Sequence, residues 1–218
     1  MGIALGAPSS ARAGSLLTNG SFENLNNTFV NQSNGCMAVY ADDSTTIPDW
    51  TVSHGVTSDI AWCNGPAAFY PAADGDYWID LTGFGTDSPN GAIRQTISVT
   101  PGDSYTVDFM WGNLSNGDPG VDIDGVPVAL NTPTGVGDPY YFIQGTFIAG
   151  SDPTPYLEFY NATPGAAAMI IDAGSLTLTD DTGGGGSIGV AEPASLALLC
   201  SGIAGAAMLR RMRRSRRV

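Results

Sequence analysis

Hydrophobic and polar residues alternate with period two over much of the stretch from Ser15 to Thr179, and Gly, Pro, Asn and Asp mark the breaks. Tyr105, Val107, Phe109 and Trp111 are interleaved with Thr106, Asp108 and Met110, the pattern of a strand with one buried face. Ile93, Thr96 and Ile97 place a strand before it, and Pro101-Gly102-Asp103 makes the intervening turn. Val121 and Ile123 alternate with Asp122 and Asp124, and Asp124-Gly125 is a hairpin signal leading into Val126 and Val128. Ile79 with Leu81 marks an earlier strand; Phe147, then Leu157 with Phe159, then Ile171 with Leu176 and Leu178 mark later ones. Trp50 and Trp111 fall at core positions, and no helical period is sustained in this region. Eight or more short strands predict an all-β antiparallel sandwich, a jelly roll, over residues 14–180.

The pattern changes at the C-terminal end. Gly183 to Ser187 lies in a flexible linker by composition, residues 181–190. Ala191-Glu192-Pro193 follows, then an uncharged stretch of 16 residues from Ala194 to Leu209. As a helix that stretch would be about 24 Å long, short for a hydrocarbon core but extendable by snorkelling arginines. Six of the eight arginines of the chain lie between Arg210 and Arg217. Positive charge stays on the cytoplasmic side, so this arrangement predicts one C-terminal transmembrane helix with the sandwich outside the cell. At the other end, Ala11-Arg12-Ala13 fits signal peptidase cleavage before Gly14, and residues 1–13 read as the remnant of a signal peptide.

Charge sharpens the picture. The chain has no lysine, and between Gly14 and Gly189 it carries twenty carboxylates against Arg94 alone, a formal charge of −19. Such a surface excludes nucleic acid as a partner and attracts divalent cations. In an exported chain, Cys36 and Cys63 are expected to form a disulfide, since no histidine or third cysteine stands near them at ligand spacing.

Linker, Glu-Pro signature, short apolar span and arginine cluster, in that order, resemble the PEP-CTERM sorting signal of Gram-negative bacteria that make exopolysaccharide. Ala191 stands where that family has its first proline, while Glu192 and Pro193 match. The resemblance implies an exosortase as partner, anchoring in the inner membrane before processing, and later residence in the periplasm, at the cell surface or in the matrix.

A second resemblance covers most of the exported part. It runs through Leu17-Thr18-Asn19-Gly20-Ser21-Phe22-Glu23, Ile47-Pro48-Asp49-Trp50-Thr51-Val52 and Trp78-Ile79-Asp80-Leu81-Thr82-Gly83. It continues through Ile93-Arg94-Gln95-Thr96-Ile97, Pro101 to Phe109, and Ile170 to Leu176. This order resembles the galactose-binding-like jelly roll of choice-of-anchor C proteins and, more distantly, carbohydrate-binding modules. The resemblance implies a structural Ca²⁺ held by Glu23 and Asp172. Where the family has Asp-Asp-Val-Ser-Leu, this chain has Asp172-Ala173-Gly174-Ser175-Leu176.

Catalytic constellations are weak. Asp74, Asp76 and Asp80 would form a hydrolytic carboxylate pair only if the strand bends, because alternation directs side chains of equal parity one way. His54 lacks a partnered nucleophile, and no Gly-x-Ser-x-Gly elbow is present. Sugar rings stack on flat aromatic faces, and Trp62, Tyr70, Tyr77, Trp78, Tyr140 and Tyr141 are the expected platforms by their loop or strand-end positions. The expectation is a non-catalytic module that binds extracellular polysaccharide. The alternatives are a purely structural acidic surface protein and, third, a glycan hydrolase.

Overall fold

A computed structural model describes residues 14–26, 28–53, 59–84, 91–113, 118–131, 139–163 and 169–179. The expected signal-peptide remnant (1–13), His54, the expected linker (181–190) and the expected sorting segment with Ala191, Glu192 and Pro193 lie outside the described residues. The chain divides into two units, Met1–Asp180 and Asp181–Val218. Among the described residues no helix is long and apolar enough to cross a membrane.

Eleven strands occur among the described residues: β1 Cys36–Tyr40, β2 Thr51–Ser53, β3 Asp59–Asn64, β4 Tyr77–Asp80, β5 Ala92–Thr96, β6 Ser104–Asn113, β7 Pro119–Ile123, β8 Val126–Pro127, β9 Tyr140–Ile148, β10 Tyr156–Asn161 and β11 Met169–Leu178. They form a six-stranded sheet, β1-β3-β4-β11-β6-β9, and a five-stranded sheet, β2-β5-β10-β7-β8. Every pairing within them is antiparallel, so the all-β antiparallel sandwich expected from alternation is observed. The alternation in β6 does what it predicts: Tyr105, Val107, Phe109 and Trp111 are all buried in the core. At the β7–β8 hairpin, Asp124 and Gly125 take φ of 51° and 77°, and Ile123 pairs Val126. A two-residue turn with both central φ positive matches strand twist, which is why Asp-Gly serves there.

The core between the sheets is built from the inward parities of both. Ile93, Leu157, Phe159 and Val121 from the five-stranded sheet meet Ile79, Ile171, Phe109 and Ile143 from the six-stranded one. A smaller cluster of Cys36, Cys63, Ala61, Tyr70, Trp78 and Ile170 packs separately. The Cys36–Cys63 disulfide bridges residues directly opposite in the β1–β3 ladder. Closing its 27-residue separation contributes roughly 3–4 kcal/mol in the chain-entropy account.

The segment from Leu17 to Glu23 is not itself a strand of either sheet. It is tied down by named groups. The Gln95 carboxamide accepts from Thr18 N–H (2.9 Å) and donates to the carbonyls of Thr18 (2.8 Å) and Asp49 (3.0 Å). The Trp50 indole donates to Asn19 O (2.9 Å), and Asn19 Nδ2 donates to Pro48 O (2.9 Å). Gly174 N–H donates to Gly20 O, and a Cβ on Gly20 would lie 2.0 Å from Gly174 O. Four of the motifs that are distant in sequence thus meet in one hydrogen-bonded knot.

Candidate functional site

Strand parity decides which side chains the five-stranded sheet turns outward. Val52, Ile93, Leu157, Phe159 and Val121 point into the core. Their neighbours Thr51, Ser53, Arg94, Thr96, Tyr156, Glu158, Tyr160 and Asp122 therefore share the opposite face. Ladder register aligns Thr51, Arg94, Glu158, Asp122 and Pro127 in a single row across all five strands. The next row is Ser53, Ala92, Tyr160 and Gly120.

Along one end of this face runs a cleft of about 470 Å³, lined by Thr18, Asp49, Thr51, Arg94, Gln95, Thr96 and Tyr156. The Arg94 guanidinium lies 5.2 Å from the centre of the Tyr156 ring, a cation–π contact that holds both planes. Glu158 is only 2% exposed although its strand parity turns it away from the core. Ser53 Oγ donates to Glu158 Oε1, and Gly125 N–H donates to Asp122 Oδ1 (3.0 Å). Tyr156 N–H donates to Asp124 Oδ1 (3.0 Å). The Tyr160 ring lies across Gly120: a Cβ there would be 2.3 Å from the ring. Glycine at 120 is what lets the ring lie along the sheet. Burial first, then the charges of Asp122 and Glu158, hold the phenols of Tyr156 and Tyr160 above the ordinary value. Both remain protonated hydrogen-bond donors at physiological pH.

The six aromatic residues expected as sugar platforms line no part of this cleft. Trp62 and Trp78 sit mid-strand and are fully buried, and Tyr70 is buried over Trp78 with ring centres 6.1 Å apart. They fill the sandwich, because large apolar area gains most by leaving water; for these three the expectation is corrected. Tyr77 packs against Phe29 and Trp62, Tyr141 against Trp111, and Tyr140 donates to Pro71 O (2.9 Å), so each of these half-buried rings has a structural partner. The residues that do form the face had a legible signal. In Tyr156-Leu157-Glu158-Phe159-Tyr160, core positions for Leu157 and Phe159 turn the other three outward.

Glu23 and Asp172 converge on one loop, 73–77. Glu23 Oε1 accepts from the N–H groups of Asp76 (2.8 Å) and Tyr77 (2.6 Å). Asp172 Oδ2 accepts from Ala73 (2.7 Å) and Asp74 (3.0 Å), and its Oδ1 from Ala173 (2.6 Å). Burial nevertheless pushes the Asp172 carboxyl up to about 8, outweighing those amides, with Asp74 adding to it. Burial likewise raises Glu23, with Asp76 and Asp74 contributing. Among the described residues, no group of three or more His, Cys, Asp and Glu is placed to hold a metal. Asp74 and Asp76 lie in this loop, whereas Asp80 is buried in β4 and accepts from Thr82, so the three form no pair across a cleft.

A family model described as Protein of unknown function (DUF642) matches residues 15–131, more than half the chain. The chain belongs to the DUF642 family. The match takes in the knot residues Thr18, Asn19, Trp50 and Gln95 and ends before the last strands. This DUF642 chain is 30% identical over 187 residues to Halomucin of Haloquadratum walsbyi, an alignment covering 83% of this chain and 2% of that protein. The chain thus spans about 2% of the length of that relative. The CBM22-1 xylan-binding domain from Paenibacillus barcinonensis Xyn10C superposes with a TM-score of 0.43 at 15% identity, covering 65% of this chain and 92% of that one. A CBM35 from Paenibacillus barcinonensis gives 0.38 at 17% identity, covering 66% and 99%. These overlaps are partial and carry no functional argument.

Proposed function

We propose that this protein is an exported, non-catalytic module that binds glycan on the outer face of its five-stranded sheet. The observation that carries this reading is the cleft at the end of this face, where Asp49, Thr51, Arg94 and Thr96 stand beside the ring of Tyr156, with Tyr160 further along the same face. Sugars need flat apolar faces for their C–H surfaces and fixed polar groups for their hydroxyls, and this combination offers both. A cleft of about 470 Å³ is within the range of small-ligand sites. Affinity electrophoresis through immobilised polysaccharides tests it: the natural chain is retarded, while Tyr156→Ala and Tyr160→Ala are retarded less. Equal mobility of all three in every polysaccharide would overturn the reading. The charge of −19 over residues 14–189 favours a second reading, an acidic surface protein without a ligand, and that is the outcome such a null result would support.

The order of linker, Ala191-Glu192-Pro193, apolar span and arginines supports export, membrane anchoring and handling by an exosortase, with the cell's own exopolysaccharide as ligand. Calcium belongs to the same proposal. Glu23 and Asp172 would hold it against the 73–77 loop, and a cation there would offset the burial that disfavours both carboxylates.

A further inference from the structure

Resting on the glycan reading of the five-stranded face, we infer that its ligand is an uncharged stretch of several sugars, and that the face rejects polyuronates. Charge decides the first part. Around the cleft and the row beside it stand Asp49, Asp122, Asp124 and Glu158, against the guanidinium of Arg94. That guanidinium is stacked on Tyr156 and stands opposite Glu158 in the ladder. Arg94 is also the sole cation between Gly14 and Gly189, so no other basic side chain of the module can neutralise an arriving carboxylate. Carboxylates accept hydrogen bonds and donate none. Vicinal sugar hydroxyls supply donors that the exposed Asp49 carboxylate in the cleft wall can accept, whereas a uronate would set acceptor against acceptor and charge against like charge.

Spacing decides the second part. Tyr156 and Tyr160 lie four residues apart on β10 and share its outer face, so their Cα atoms are about 13 Å apart. One pyranose ring cannot touch both; a chain laid along β10 can. Glu158 sits between them on the same face, and Gly120 clears the space over which the second ring lies flat.

Titration calorimetry on the full chain in detergent tests both parts, with neutral glucan, xylan and galactan oligosaccharides from mono- to hexasaccharide and with oligogalacturonates of matched length. A neutral series should gain roughly tenfold in affinity, about 1.4 kcal/mol, between monosaccharide and tetrasaccharide. The oligogalacturonates should give no heat of binding. Asp49→Asn in the cleft wall and Tyr156→Ala should each weaken the neutral series. Oligogalacturonate binding as tight as the neutral series would overturn this inference and leave the glycan reading standing. So would a monosaccharide that binds as tightly as its hexasaccharide. Absence of binding to any sugar by a chain with an intact melting transition would instead sink the glycan reading itself.

Discussion

At the scale of single residues, the last strand carries backbone strain at its bulge. Between Asp172 and Ser175 the β11–β6 register shifts, and Ala173 within this bulge has φ of 51°. An L-residue with a Cβ pays roughly 1–2 kcal/mol in that region, and Asp or Asn is tolerated better than Ala. With alanine at 173 that strain is kept. Ala173→Gly should therefore stabilise the fold by up to about 1 kcal/mol after the entropy of the more flexible unfolded chain is subtracted. Calorimetry should record a melting temperature higher by a few degrees; a lower one would show that the Ala173 methyl packs usefully. Asp80 offers a second test at this scale. Burial raises its carboxyl to about 6, against the hydrogen bonds from Thr82, with Asp59 adding repulsion. Because the folded value exceeds the unfolded one, the protonated form stabilises the fold, and this contribution is lost as pH rises from about 4 through about 6. Asp80→Asn keeps an oxygen acceptor for Thr82 without the charge. Its advantage over the natural chain should be near zero at about pH 4 and reach about 2–3 kcal/mol by about pH 7. Parallel stability curves for the two chains across that range would refute the burial account.

Elements are where the two carboxylates at the 73–77 loop acquire meaning. Glu23 precedes β1, Asp172 lies in β11, and the loop before β4 takes N–H bonds from its backbone to both. A cation at this junction would bind the folded state and not the unfolded one, stabilising by about 2.7 kcal/mol at a hundred times its dissociation constant. Thermal melts should rise with calcium and fall with chelator, and Glu23→Gln and Asp172→Asn should each blunt the response. Identical melts in calcium and chelator would leave the amide donors as the sole partners of these carboxylates. The same junction explains why Gly20 is required: its hydrogen-bonded approach to Gly174 brings backbone where a side chain would stand.

Over the whole molecule, charge and alternation were legible from the chain, and spatial neighbourhood was not. The tail's order of segments and its arginine cluster make one prediction at this scale: protease added to intact spheroplasts should degrade the acidic module, and a protected module would refute an exterior location. Period-two patterning determined by itself that β6, β7 and β10 exist and which of their faces is buried, because a pleated strand sends successive side chains to opposite sides. Asp124-Gly125 determined a hairpin through positive φ, and Cys36 with Cys63 a disulfide. Strands β1 and β3 escaped the pattern because both of their faces are covered: Val39, Ile60 and Trp62 enter the main core, while Cys36, Ala61 and Cys63 enter the smaller one. Without a solvent face there is no alternation to read. The same cause misplaced Trp62 and Trp78 among the sugar platforms. Only tertiary structure decided that Arg94, Glu158 and Asp122, 64 and 36 residues apart along the chain, stand in one row. Strand order and register set that row, and both are fixed by the packing of the buried faces, which no local stretch of sequence contains.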